Sequence, residues 1–138
     1  MMTAGMRVSD DVANEYTNLR MKRSHRYLII RVNDDKDEVI LDQVGERDAT
    51  FEQFKEAMPK DQPRFAVFEL EFTGNSGANE AKIVFILYAP DICDSGAKFI
   101  YATSKDVVRK KVQPFNKEIQ VNDWADLDDE AFIKYFKH

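Results

Sequence analysis

The sequence predicts an α/β (α+β) domain, a mixed five-stranded β-sheet sandwiched by helices. Three observations point there. Five short segments carry the alternating or unbroken apolar patterns of strands, and stretches with helical spacing bracket and interrupt them. Ten Phe and five Tyr within 138 residues suit a well-filled core built on a sheet. No repeat, linker or low-complexity tract divides the sequence, whose length closes one core and not two, so residues 1–138 read as a single domain.

The elements follow in order. Asp10 and Asp11 precede Val12, Tyr16 and Leu19 at spacing i, i+4, i+7, and their charges suit the positive end of a helix dipole, which predicts a helix over about 10–22. Arg26 to Val32 and Glu38 to Val44 read as strands. Polar Asn33-Asp34-Asp35-Lys36-Asp37 between them has the composition of a hairpin turn. Thr50 opens a short helix with Phe51, Phe54 and Met58 on one side and Pro59 at its end.

Phe65 to Phe72 begins apolar on both faces and then alternates, with Phe68, Leu70 and Phe72 inward and Glu69 and Glu71 outward. Ile83 to Ala89 is an unbroken apolar run, the pattern of a central strand covered on both faces. The loop between them, Gly74 to Asn79, is expected to be exposed and mobile. A long helix spans about Ser95 to Val112, interrupted or kinked near Thr103-Ser104. A fifth strand over about Lys117 to Val121 and a last helix from about Leu127, with Phe132, Ile133 and Phe136 on one stripe, complete the chain.

Composition narrows the function classes. A net charge of -5 argues against whole-surface attraction to nucleic acid, so an anionic partner must meet a local basic patch. The single cysteine, Cys93, forms no internal disulfide and fits a reducing compartment. Met1 to Val8 lacks the apolar stretch of a signal peptide and no run approaches a membrane span, so a soluble, cytoplasmic protein is expected.

Catalysis finds no footing. Nucleophilic chemistry at Cys93 needs a histidine base, and only His25 and His138 exist. No Cys/His spacing suits zinc, and no Gly-rich loop opens a helix after a strand, so no metal, cofactor or enzymatic activity is expected. Asp123, Asp126, Asp128, Asp129 and Glu130 lack the turn glycine and closing glutamate of a calcium loop. They suit the N-terminus of the last helix instead.

One charge cluster stands out. Ser104 to Val112 places Lys105 and Arg109 at i, i+4, with Asp106 and Lys110 as a second such pair, while Val108 and Val112 form the opposing apolar seam. Thr103 and Asp106 resemble a capping box with Asp in place of Glu. By pattern alone this is either a solvated face, its pairs contributing ~0.3–0.5 kcal/mol each, or an anchored basic surface for an acidic partner.

Four stretches then carry a family resemblance: Gly5-Met6-Arg7-Val8, Arg64 to Phe72, Lys82-Ile83-Val84-Phe85 through Pro90-Asp91, and Lys98-Phe99-Ile100-Tyr101-Ala102-Thr103-Ser104-Lys105-Asp106. In this order and spacing they resemble the actin-depolymerising factor homology domain of the ADF/cofilin family. The resemblance implies that fold, and a monomeric protein that binds G-actin and F-actin at the actin cytoskeleton. Carried over by position, the actin-monomer surface would be Met1 to Met6 (Thr3, Ala4, Gly5 and Met6 within it), Lys98, Lys105, Asp106, Arg109 and Lys110. The filament-binding region would be Glu80, Lys82, Lys134 and Lys137.

The departures matter as well. Glu80 and Ala81 stand where the family usually has a basic residue, Gly96 where it commonly has Arg, and the basic tail of many relatives is missing after His138. The resemblance therefore implies monomer binding with weakened filament binding and severing. Ala4 replaces the family's regulatory serine, leaving Thr3 as the nearest hydroxyl for phosphorylation. Lys105, Arg109, Lys110 and Lys111 would form a phosphoinositide-binding cluster. The alternative reading is a phosphoinositide-binding or scaffold module of the same fold with little actin activity.

Overall fold

In the computed structural model, which describes residues 6–137, the chain runs β1 (Arg7–Val8), α1 (Asp10–Thr17), β2 (His25–Val32), β3 (Glu38–Glu46), α2 (Phe51–Ala57), β4 (Arg64–Thr73), β5 (Asn79–Tyr88), α3 (Ser95–Arg109), β6 (Lys117–Val121) and α4 (Asp129–Ile133). The strands form one sheet in the order β1-β3-β2-β4-β5-β6. The four middle strands are antiparallel, and β1 and β6 join in parallel at the two edges, so the sheet is mixed.

There are six strands where the sequence predicts five. The added strand, β1, consists of two residues, Arg7 opposite Glu38 and Val8 opposite Val39. A strand this short has no periodicity of its own and exists through its partner.

Helix boundaries follow local chemistry. Ser9 caps α1 by accepting the amide of Asp11, and a π-helical turn, Asn18–Lys22, extends it until Arg23 turns left-handed at φ 55°. Thr50 and Gln53 form a reciprocal capping box at α2: Gln53 N–H donates to the Thr50 hydroxyl at 3.1 Å, and Thr50 N–H donates to the Gln53 side chain at 2.8 Å. Pro59 follows just past the end of α2.

The sheet is covered on both faces, as the unbroken run of β5 predicts. Ile83, Phe85 and Leu87 join Val12, Tyr16, Leu19, Tyr101 and Val108 in the core under α1 and α3. Val84, Ile86 and Tyr88 join Phe51, Phe54, Phe68 and Phe132 in the core under α2 and α4. Each such large apolar side chain contributes about 1.5–3 kcal/mol on burial, so the sheet is the shared wall of two hydrophobic layers. Trp124, in a 3₁₀ turn before α4, closes the second layer. Its indole N–H donates to the Lys55 carbonyl at 3.1 Å, and the Lys55 and Lys60 ammonium groups lie 4.4 and 4.5 Å from its ring centroid.

Glu69 does not point outward into water. Its side chain is 7% exposed, paired with Arg23 at 3.1 Å and with Arg47. Glu71, half exposed on the same strand, pairs with Arg23, Arg26 and Arg47. The alternation is real, but the face opposite Phe68 is covered here by Arg23 just before β2, by Arg26 at its start and by Arg47 after β3 instead of being open.

Candidate functional site

The long helix α3 presents two different sides. Asp94 starts it by accepting the Ala97 amide at 3.1 Å. Tyr101, Ser104 and Val108 are buried on the inner side, and Val112 continues the seam beyond the helix end. Tyr101 also accepts the Val32 amide at 2.9 Å, fastening the helix to β2. Burial pushes the pKa of the Tyr101 phenol up, opposed by that amide and by nearby arginines.

The helix is continuous, without the predicted interruption at Thr103-Ser104. Thr103 donates its hydroxyl to the carbonyls of Phe99 and Ile100, a bond made inside a helix, so it is not part of a capping box. Asp106 pairs with Arg109 one turn on and not with Lys110.

Opposite the buried seam stand Phe99, Ala102, Thr103, Asp106 and Lys110, all exposed. Phe99 is 69% exposed, a large apolar side chain left largely uncovered by the described residues. Sequence reading passed over it as one of two apolar residues in a motif. Its helical angle, away from Tyr101, Ser104 and Val108, is the signal that singles it out.

Three of the basic residues around it, Lys98, Lys105 and Arg109, are held in ion pairs. Lys98 reaches Asp91 at 3.0 Å. Lys105 Nζ lies 2.9 Å from one carboxylate oxygen of Glu118, and Arg109 Nε lies 3.2 Å from the other. Lys110 and Lys111 are exposed and make no ion pair among the described residues. Glu118, on β6, was invisible to sequence reading because a strand residue nine positions past Arg109 gives no local sign of its helix partners.

Met6 packs against the core cluster that includes Tyr101 and Val108, and β1 touches α3, so Met6 lies on the same side of the sheet as the helix. Thr3, Ala4 and Gly5, with Met1 and Met2, lie outside the described residues.

The second predicted region gathers elsewhere. Phe136 stacks on Phe72 at 6.0 Å, which draws the segment after α4 to the turn end of the β4–β5 hairpin, where Glu80 pairs with Phe72 across the ladder. Lys134 and Lys137 are exposed and lie past the end of α4, a shorter helix than the sequence predicts. Glu80 folds back over Gly74, so close that a Cβ there would meet its carboxylate oxygen at 1.6 Å. Lys82 sits 4.0 Å from the other oxygen of that carboxylate.

The remaining reactive groups have structural explanations. Cys93 is half-buried, and burial raises its thiol pKa against the pull of Lys98, the reverse of an activated nucleophile. Asp123 and Asp128 accept the amides of Ala125 and Glu130, so these carboxylates cap turns. Among the described residues, no helix is long and apolar enough to cross a membrane.

The family model for cofilin/tropomyosin-type actin-binding protein matches residues 5–137. Actophorin of Acanthamoeba castellanii is 35% identical over 128 residues, 93% of this chain and 92% of that protein. Actin-depolymerizing factor 1 of Arabidopsis thaliana is 31% identical over 129 residues, covering 94% and 93%. The crystal structure of Streptomyces griseoflavus cofilin superposes with a TM-score of 0.87 at 25% identity, covering 94% of this chain and 96% of that one. A sheet with two helical layers, and a match over more than nine-tenths of the chain to these relatives, lead to one conclusion: the chain belongs to the ADF/cofilin family, a family of actin-binding proteins and not of enzymes.

Proposed function

We propose that this protein binds actin monomers, preferring the ADP-bound form, through the outer face of α3 and the adjoining N-terminal segment, and promotes filament turnover while gripping filaments weakly. One observation carries the reading: Phe99 stands 69% exposed on a helix whose other side is locked into the core. An exposed aromatic on a rigid support, flanked by charges already held in place, is the build of an interface anchor. Weak filament contact rests on Glu80. It places negative charge at the hairpin and lies beside Lys82, the nearest cation there on β5. The basic cluster Lys105, Arg109, Lys110 and Lys111 favours actin over lipid as the main partner, since Glu118 and Asp106 neutralise half of its four positive charges.

High-speed co-sedimentation with pre-formed filaments, joined to a fluorescence titration of labelled actin monomers, tests this. The expected result is saturable monomer binding, stronger for ADP-actin, with actin moving to the supernatant and little of this protein in the pellet. Strong co-pelleting would overturn the weak-filament part. Absence of monomer binding would overturn the whole.

A further inference from the structure

Glu118 stands on an edge strand and faces the helix layer, since its neighbours Ile119 and Val121 serve the opposite core. Its carboxylate binds two α3 cations four residues apart, Lys105 at 2.9 Å and Arg109 at 3.2 Å. All three side chains are about a third exposed, at 27%, 39% and 30% for Lys105, Arg109 and Glu118. The helix does not need this bridge to stay on the sheet, because Tyr101, Val108 and Val112 already anchor it.

We infer that Glu118 is a positioning and specificity-determining residue: it presets Lys105 and Arg109 for actin and turns the same cations away from anionic membranes. This rests on the actin reading above. Two consequences of the bridge act in opposite directions. Lys105 and Arg109 are long side chains whose freedom the ion pairs to Glu118 restrict before a partner arrives, so a partner with matching geometry loses less entropy on binding. An anionic lipid surface has no fixed geometry to match and responds to charge alone. Lys105, Arg109, Lys110 and Lys111 against Asp106 and Glu118 leave a local charge of +2, and neutralising Glu118 makes it +3.

Glu118→Gln, with nearly the same shape, separates the two. Monomer binding is read by titration of labelled actin. Membrane binding is read by co-sedimentation with phosphatidylcholine vesicles carrying a one-tenth share of phosphatidylinositol bisphosphate. The expected result is about fivefold weaker actin binding with about fivefold stronger vesicle binding, and an unchanged circular dichroism spectrum. A merely structural role cannot move the two affinities in opposite directions. Both unchanged, or both moving the same way, would overturn the inference. Wild-type protein that binds no monomer would sink the functional reading and this inference with it. Wild-type binding matched by Glu118→Gln in both assays would sink the inference alone.

Discussion

Glu69 shows at the scale of one residue how a correct pattern leads to a wrong environment. Period-two alternation assigns it rightly to the face opposite Phe68, and that face is wet in a one-sided sheet. Here Arg23 and Arg47 arrive from segments 46 and 22 positions away, and no local pattern announces them. Removing the buried charge leaves Arg23 and Arg47 with only the half-exposed Glu71 as a partner. Glu69→Gln is expected to lower unfolding stability by about 2 kcal/mol, below the value for fully buried pairs because the arginines are part-exposed. A urea titration reads the loss as a lower midpoint with the same slope. Glu71→Gln, at the exposed end of the network, should cost clearly less.

Among elements, α3 and the β4–β5 hairpin carry the function-related expectations. The length, seam and outward charges of α3 were legible because a 3.6-residue period records them directly. Its partners were not, because Glu118 and Asp91 belong to other segments. β1 was illegible for a related reason, being a strand only by virtue of β3. Phe99→Ala is expected to weaken monomer binding about tenfold or more. It should leave stability within about 0.5 kcal/mol of wild type, since an exposed side chain is lost. Equal affinity in a monomer titration would remove Phe99 as the anchor. In the hairpin, Glu80→Arg reverses the charge beside Lys82 and should raise filament co-pelleting about fivefold. No gain in the pellet would count against the explanation of weak filament binding.

For the whole molecule, the sheet divides the interior into two cores, and each holds two buried tyrosines, of which Tyr16 and Tyr88 are the most deeply enclosed. Burial pushes Tyr16 up to about 12, opposed by Arg20. Tyr88 is also raised to about 12, by burial first and then by Asp123 and Asp61. A phenol pKa raised in the folded state adds stability that is full below about 10 and is lost as pH climbs through about 12. Alkaline unfolding is therefore expected across that window, with tyrosinate absorbance and loss of circular dichroism rising together. Complete tyrosine titration in a protein still folded would contradict it. The two-core plan itself was legible, from the unbroken apolar run of β5 and the helices on either side.

That division also determines what light can report. The chain has one tryptophan, Trp124, set in the α2–α4 layer against Lys55 and Lys60, while Phe99 and its neighbours look out from the other layer. Trp124 shares a cleft with Asp91, the ion-pair partner of Lys98, so a change in indole emission on adding a ligand would report on the Lys98 end of α3 as well as on the α2–α4 layer.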